Sequence, residues 1–244
     1  MIKSLITGIK QKADFVVGKV CPKYRIHRDL CSLCSTLYTK GLISCTDGNL
    51  STRLDDQKIL ITPKFQNKSK LQPSDLVEYN LHDKTRPKNV TSEASLHTLA
   101  YLRRKDISYV LHTHPLYTTT MSISHPELIG RPYFPTSVLL LGKVPIVPYY
   151  PPGSEELARA CADALADSNV AILKGHGAVV VGKSILQIQT RTEHLEWNSR
   201  AIYLMKNANS PTLTEEEVKQ LESRSRSLGV LDGAWGWKKH DFIK

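Results

Sequence analysis

The sequence predicts a layered α/β or α+β fold in which helices pack on a largely antiparallel sheet. Apolar runs of strand length alternate along the chain with longer segments whose apolar residues recur at helical spacing. At least one pair of strands is joined by a short polar turn, as in an antiparallel hairpin. Strands that are mixed with helices in this way are typical of layered folds.

The N-terminal half is predicted to run as helix, hairpin, strand, helix and strand. Gly41 closes the first helix, and Ser92 is expected to cap the second. The hairpin strands are joined by the polar turn DDQK, and Pro115 ends the last strand because proline cannot donate a ladder hydrogen bond. The predicted helices are 27–41 and 91–105, and the predicted strands are 47–54, 58–63, 74–81 and 107–114.

The C-terminal half begins with an extended stretch at 144–154, which leads into a helix at 155–165. A glycine-rich turn within 169–182 divides that apolar run into a pair of strands. A long helix is predicted at 184–206. Beyond it, the segment TLTEEEVKQLESRSRSLG has the capped, acidic start of another helix.

The absence of any repeat, low-complexity tract or linker favours one main domain. Residues 1–26 are expected to form an N-terminal helical extension, because lysines interrupt the apolar residues of 1–20 at roughly helical spacing. This pattern, together with the lack of a long apolar run, argues against a cleavable signal and a membrane span. Residues 207–244 are predicted to be a C-terminal tail, helical at first and then irregular.

The composition is that of a globular protein, with 41% hydrophobic and 23% charged residues. A formal net charge of +10 permits nucleic acid, anionic lipid or small anions as partners. The basic residues are scattered and lack the aromatic interleaving of single-strand binders, so a small anionic substrate is favoured over nucleic acid. Five cysteines without a disulfide rhythm indicate a reducing, cytoplasmic location, and we interpret Cys31 and Cys34 as structural thiols.

Two histidines, His112 and His114, end the strand predicted at 107–114. Side chains alternate across a strand, so both imidazoles would project from one face and could reach one point. His176, which lies between two glycines in the turn of 169–182, is the candidate for a third ligand. Three neutral imidazoles leave positions open for a substrate, as in catalytic zinc sites. An isolated histidine would be interpreted as a packed core or turn residue, and the paired spacing is what favours a metal site.

Glu93 is the candidate acid or base, because it begins a helix whose far end leads into the strand of His112. A carboxylate in the first helical turn also favours the helix dipole, so a capping role is the alternative. His97 lies one turn later on the same helical face. It could orient the carboxylate of Glu93, although packing is the favoured interpretation.

Polar residues around the first two predicted strands form a candidate anion site. Thr46, Gly48 and Asn49 lie in a turn of the kind that exposes backbone N–H groups to anions. Thr62 and Lys64 follow at the end of the next strand, where a positive charge could meet a phosphate or a carboxylate. Each signal taken alone also fits an ordinary polar turn or a solvated lysine.

Six motifs stand in the order and approximate spacing of one known family: TDGNLSTR, LITP, TSEASLH, VLHTHP, VPYYPPGS and KGHGAVVVGKS. From about residue 27 to 206 the sequence therefore resembles the class II aldolase/adducin family. The resemblance implies an α/β/α sandwich with three layers around a mixed, mainly antiparallel sheet. It also implies a homotetramer with active sites between subunits.

The resemblance implies a role for each matching position. His112, His114 and His176 match metal ligands, with Zn²⁺ expected before Mn²⁺, Co²⁺ or Fe²⁺. Glu93 matches a carboxylate that binds the metal or moves a proton. The positions that hold a phosphate group are matched by Thr46, Gly48, Asn49, Thr91 and Ser92. Where the family has a small Thr-Gly pair after ITP, this chain has Lys64 and Phe65, which replace a close backbone approach with a charge.

The function that the resemblance implies is that of a metal-dependent lyase. Aldol cleavage or condensation of a small hydroxy-carbonyl compound, a phosphorylated sugar, would pass through an enediolate that the metal stabilises. Decarboxylation or dehydration of a related acid or sugar phosphate is the alternative within the family. A non-catalytic, adducin-like interaction module is the alternative from another class.

Overall fold

A seven-stranded sheet forms the centre of the computed structural model, which describes residues 22–83, 85–208 and 210–228. Its strands are β1 Asn49–Arg53, β2 Lys58–Ile61, β3 Val77–Asn80, β4 Tyr109–Thr113, β5 Ile146–Val147, β6 Val170–Leu173 and β7 Gly177–Gly182. Their order is β3-β2-β1-β4-β7-β6-β5. Every neighbouring pair is antiparallel except β5 and β6. The predicted mixed, mainly antiparallel sheet is therefore confirmed.

Eight α-helices surround this sheet within the described ranges. They are α1 Pro22–Thr39, α2 Ala94–Arg103, α3 Leu116–Ser124, α4 Pro126–Ile129, α5 Pro135–Leu140, α6 Glu155–Ala164, α7 Ile185–Met205 and α8 Glu215–Leu228. Two 3-10 helices, Lys68–Lys70 and Pro73–Asp75, connect β2 to β3.

Helices cover both faces of the sheet. Leu111 of β4 belongs to the core that α1, α3 and α7 complete, and its neighbour Val110 belongs to the core that α2 and α6 complete. Side chains alternate across a strand, so one strand supplies both cores. Strands β6 and β7 are continuous apolar runs buried along their whole length, as expected for strands covered on both faces. The three-layer α/β/α sandwich is confirmed.

Several element boundaries differ from the predicted ones. Helix α1 begins at Pro22 rather than residue 27, so the predicted start of the main domain lies inside a helix. The strand predicted at 74–81 is shorter, because Pro73–Asp75 form a 3-10 turn whose backbone bonds to Gln72. The extended stretch predicted at 144–154 contributes only the two residues of β5 to the sheet.

No helix or strand was predicted between Pro115 and the extended stretch at 144–154. The structure has three helices there, α3, α4 and α5. Five of the nine residues of α3 are threonine or serine, which have weak helix propensity. Its first N–H groups are capped from a distant helix: Glu196 of α7 accepts hydrogen bonds from the N–H groups of Tyr117 (2.8 Å) and Thr118 (2.9 Å). A tertiary cap of this kind leaves no local pattern in the sequence.

The predicted C-terminal helix is present as α8, whose start is capped by a reciprocal pair. Glu217 accepts from the N–H of Thr214 at 2.7 Å, and the Thr214 hydroxyl accepts from the N–H of Glu217 at 3.3 Å. The helix predicted for residues 1–20 and the tryptophan-rich end lie outside the described residues. None of the described helices has the length and hydropathy that a bilayer crossing requires.

The cysteine pair of α1 is buried in part. Cys34 is 2% exposed and packs in the core, and Cys31 lies beside it at the edge of that core. Burial raises the pKa of both thiols to about 12, so both stay protonated at neutral pH. This supports the interpretation of the pair as structural thiols.

Candidate active site

Three histidines meet at one end of the sheet. His112 lies near the end of β4, paired with Asn49 of β1 and Val179 of β7, and His114 follows just beyond the strand. His176 comes from the tight turn between β6 and β7, where its N–H bonds to the carbonyl of Leu173. The ring centroids are 4.7 to 5.1 Å apart. The structure thus brings together the three residues that the sequence analysis selected.

The turn between β6 and β7 can approach β4 closely because residue 177 is glycine. A Cβ atom built on Gly177 would lie 2.3 Å from the carbonyl oxygen of Thr113 and 3.2 Å from the rings of His112 and His114. No side chain fits in that space without moving backbone. The pattern of glycines around His176 therefore reflects a steric need of the histidine cluster.

The orientation of the rings suits a bound cation. His112 uses Nδ1 for the carbonyl of Ala178 at 3.0 Å, which directs its Nε2 toward the cluster. The Nε2 atoms of His112 and His114 are only 2.8 Å apart, and two facing lone pairs at that distance repel unless a proton or a cation lies near them. One ligand atom from each histidine lies within 4.8 Å of the others, so the three could hold a metal ion.

Glu93 completes the cluster. Its Oε2 atom lies 3.1 Å from Nε2 of His112, and its Oε1 atom lies 3.6 Å from Nε2 of His176. Oε1 is buried and has no hydrogen-bond partner among the described residues. An orphaned carboxylate oxygen that faces three imidazoles fits a site for a divalent cation.

The predicted cap at the start of α2 is not observed. Glu93 rather than Ser92 occupies the position before the helix, and its side chain makes no capping bond. Ser92 instead faces the cavity beside the cluster. The prediction that Ser92 caps the helix is wrong, because the chain turns into the helix one residue later and directs the Glu93 carboxylate toward the histidines.

The electrostatics of the cluster are coupled. Burial alone would raise the pKa of Glu93, but His112 and a hydrogen bond from Asn49 outweigh it and hold that pKa well below its usual range. Burial lowers the pKa of His114 to about 4, with His112 and His176 adding to the effect. Glu93 is therefore a carboxylate and His114 a neutral imidazole at neutral pH, which are the forms that bind a metal ion.

A buried chain of hydrogen bonds holds Glu93 from behind. Asn49 donates from Nδ2 to Glu93 Oε2 at 3.0 Å, and its Oδ1 faces Nε2 of His97. Burial lowers the pKa of His97 to about 3, so the ring is neutral and has one donor and one acceptor. Ser51 lies 2.7 Å from its Nδ1, so Ser51 donates there and Nε2–H donates to Asn49. This bond fixes the Asn49 amide with its NH₂ group toward Glu93.

The favoured interpretation of His97 as a packing residue is thus incomplete. The side chain is 0% exposed, as packing requires, but both of its nitrogens are engaged in the chain that ends at Glu93. Its spacing of one helical turn from Glu93 was the signal that could have indicated this role.

A cavity of about 190 Å³ opens beside the cluster. Residues that the sequence analysis proposed for metal, proton transfer and phosphate line it together: Thr46, Gly48, Asn49, Lys64, Thr91, Ser92, Glu93, His114 and His176. His112 lies behind them and is fully buried. Phe65, which was noted beside Lys64 without a role, also lines the cavity. Three further lining residues were not predicted from the sequence: Asp47, Lys68 and Pro152.

Two loops form part of the cavity wall. Gly48, at φ +73°, lets the first loop turn into β1, and a Cβ atom there would lie 2.6 Å from the side chain of Ile43. In the second loop Phe65 has φ +55°, the left-handed region that favours glycine, and its ring is 81% exposed. Lys64 is exposed beside it. We call this part of the cavity wall, formed by residues 46–48 and 64–68, the anion end.

The fold and this site define a class of enzyme in which histidines and a carboxylate meet at one end of the central sheet of an α/β/α sandwich. The family model for the class II aldolase and adducin N-terminal domain matches residues 28–203, and the chain belongs to that family.

Individual relatives differ in their reactions. The chain is 30% identical over 198 residues to 3-oxo-tetronate 4-phosphate decarboxylase of Haemophilus influenzae. The match covers 78% of this chain and 93% of the relative. This chain is 33% identical over 172 residues to L-fuculose phosphate aldolase of Methanocaldococcus jannaschii. That match covers 70% of this chain and 92% of the relative. The crystal structure of YgbL from Klebsiella pneumoniae, for which aldolase, epimerase and decarboxylase are named as alternatives, superposes with a TM-score of 0.76 at 30% identity. That match covers 82% of this chain and 98% of YgbL.

Proposed function

We propose that this protein is a metal-dependent lyase that cleaves or joins a C–C bond in a small phosphorylated hydroxy-carbonyl compound, by aldol chemistry. The observation that carries the proposal is the meeting of the three histidines with Glu93 Oε1, which is buried and unpaired, beside a cavity lined by residues suited to an anion. His112, His114 and His176 would hold the cation, with Zn²⁺ expected first from an all-imidazole donor set. The bound cation would supply a Lewis acid that polarises a substrate carbonyl.

Glu93 is the residue that we propose to move the proton. Its low pKa keeps it charged at neutral pH, so it can accept a proton, and Asn49 occupies Oε2 while Oε1 stays free. A carboxylate is a weak base toward carbon, so the reaction depends on a C–H or O–H group made acidic by the neighbouring cation. The buried site limits competing protonation by water.

The phosphate group of the substrate is proposed to lie at the anion end. Thr46 offers hydroxyl or backbone donors there, and Thr91 and Ser92 offer them elsewhere in the lining of the same cavity. Lys64 adds a positive charge at the rim. Placing the phosphate at the anion end would hold the carbonyl near the histidines, since both groups of residues line the same small space.

Decarboxylation is the second candidate, because the decarboxylase of H. influenzae matches over a longer part of this chain than the aldolase of M. jannaschii does. The same polarised carbonyl would accept the electrons that a departing carboxylate leaves behind, and the enolate carbon would then take a proton from solvent. A 3-oxo acid phosphate would then be the substrate class.

Two assays separate these candidates. Purified protein is analysed for bound metals, loaded with Zn²⁺ or Mn²⁺, and incubated with dihydroxyacetone phosphate and several aldehydes, then with 3-oxo-tetronate 4-phosphate. A new ketose phosphate supports the aldolase, and release of CO₂ supports the decarboxylase. Protein that retains no metal and reacts with neither would favour the non-catalytic interaction module.

We also propose that the chain forms a homotetramer in the cytoplasm. Helix α7 exposes large apolar side chains, with Leu186 73%, Trp197 52% and Leu204 74% exposed, and burial of such side chains is typical of subunit contacts. Light scattering of the purified protein tests the assembly, and a monomer at micromolar concentration would contradict it.

A further inference from the structure

A lysine lies beneath the anion end with almost no contact with solvent. Lys68, in the 3-10 helix that follows β2, is 1% exposed. Its ammonium donates to the carbonyl oxygens of Thr46 at 3.1 Å, Pro63 at 3.1 Å and Gln66 at 3.0 Å. These three bonds use all of its protons, and they join the two loops that form the anion end.

This charge has no carboxylate counter-ion among the described residues. Asp47 is the acidic residue whose charge acts on it, but Asp47 is exposed, makes no ion pair with Lys68 and bonds instead to the hydroxyl of Ser44 at 2.6 Å. Carbonyl dipoles satisfy the hydrogen bonds of a buried ammonium but leave its net charge uncompensated. Burial accordingly lowers the pKa of Lys68, with Cys34 and Asp47 opposing the effect.

The sequence predicts Lys64 as the positive charge of the anion end, and the structure points to a different residue. Lys64 is exposed, so water screens its charge, whereas the charge of Lys68 acts through protein. Both residues line the same cavity. A buried charge that lacks a counter-ion favours an anion in the adjoining space more strongly than an exposed one does.

We propose that Lys68 is the residue that makes the anion end selective for a phosphate group, acting through its charge and through its hold on the two loops. This proposal rests on the proposed function, because it takes the substrate to be phosphorylated. Since its three protons are engaged by carbonyls, Lys68 is a positioning and electrostatic residue rather than a direct ligand. The anion that binds above it supplies the missing counter-charge.

The test measures binding of inorganic phosphate to the full-length protein by calorimetry. Lys68→Gln removes the charge and keeps two N–H donors on a side chain that is one bond shorter. Lys70→Gln is the matched control, because Lys70 belongs to the same 3-10 helix, carries the same charge and is exposed. We expect phosphate affinity to fall at least about tenfold in Lys68→Gln and less than about twofold in Lys70→Gln. Equal losses in the two variants, or unchanged affinity in Lys68→Gln, would overturn the proposal.

A crystal structure of the unaltered protein grown in phosphate provides a second test that does not depend on folding of the variant. The proposal requires an anion at the anion end within about 8 Å of Lys68 Nζ, the range over which a charge acts before salt screens it. Phosphate found only elsewhere, or an adventitious ion only at lattice contacts, overturns it.

Lyase activity is measured separately on the same preparation. Phosphate binding without activity would remove the proposed function and leave this role of Lys68, and activity without phosphate binding would do the reverse.

Discussion

The two ends of the active-site cavity are built in different ways. At the histidine end, His112 belongs to a central strand that is paired on both sides, and His176 is held by the turn between two other strands. At the anion end, two loops are joined by the ammonium of one buried lysine, and one of their residues, Phe65, has an unfavourable backbone conformation.

This difference indicates which part of the site can vary. Residues on a hydrogen-bonded sheet cannot move singly, so the histidine end suits a fixed chemical step. Loops tolerate substitution, so the anion end suits selection among substrates. We therefore expect changes at the histidine end to reduce turnover, and changes at the anion end to alter substrate affinity.

The largest effect is expected for His114→Ala. Loss of one of three imidazoles should remove bound metal and reduce activity by at least about 10³-fold, at the upper end of what loss of a single electrostatic stabiliser costs. Metal analysis and steady-state kinetics check both parts. The control is His82→Ala, which removes an exposed histidine in the β3 to α2 connection. Metal content equal to that of the unaltered protein would contradict the assignment of His114 as a ligand.

Glu93→Gln should separate proton transfer from metal binding. The amide has the same shape but cannot accept a proton as the carboxylate does, so kcat should fall by about 10²- to 10⁴-fold. Metal content should stay near that of the unaltered protein, because the three imidazoles remain. Full turnover in this variant would show that another group moves the proton.

His97→Phe should reduce kcat by about tenfold to 100-fold, the usual cost of losing a group that orients a ligand or catalyst. The ring still fills the space, but Asn49 is no longer fixed with its NH₂ group toward Glu93. KM and metal content should change little. An unchanged kcat would mean that packing is the whole role of His97.

Gly177→Ala tests how closely the histidine end is packed. The added Cβ would lie 2.3 Å from the Thr113 carbonyl, and moving two strands apart should lower the free energy of unfolding by about 1–3 kcal/mol. Gly130→Ala is the control, because a Cβ there would lie 3.4 Å from its nearest neighbour. Denaturant unfolding measures both variants, and equal stabilities would contradict the steric argument.

The sequence predicted the histidine end of the cavity better than the anion end. Alternation along one strand was enough to place His112 and His114 on one face. The return of a helix toward that strand made Glu93 a candidate, with a capping role left as the alternative. The burial of Lys68 could not be predicted, because it depends on how a 3-10 helix folds under a loop 22 residues away in sequence. Helix α3 was missed for a related reason, since Glu196 caps it from another part of the chain.

Phe65→Gly, at the anion end, is expected to have the smallest effect and the opposite sign. A side chain at φ +55° costs about 1–2 kcal/mol, which glycine avoids. The greater freedom of glycine in the unfolded chain offsets about 0.5–1 kcal/mol of that gain. The free energy of unfolding should therefore rise by about 0.5–1 kcal/mol in denaturant titrations. Phe65→Ala removes the exposed ring but keeps the Cβ, so it should not show the gain. If alanine stabilises the protein as much as glycine does, the exposed ring rather than the backbone conformation is the source of the cost. The loop would then be unstrained, and the contrast between the two ends of the cavity would rest on the buried charge alone.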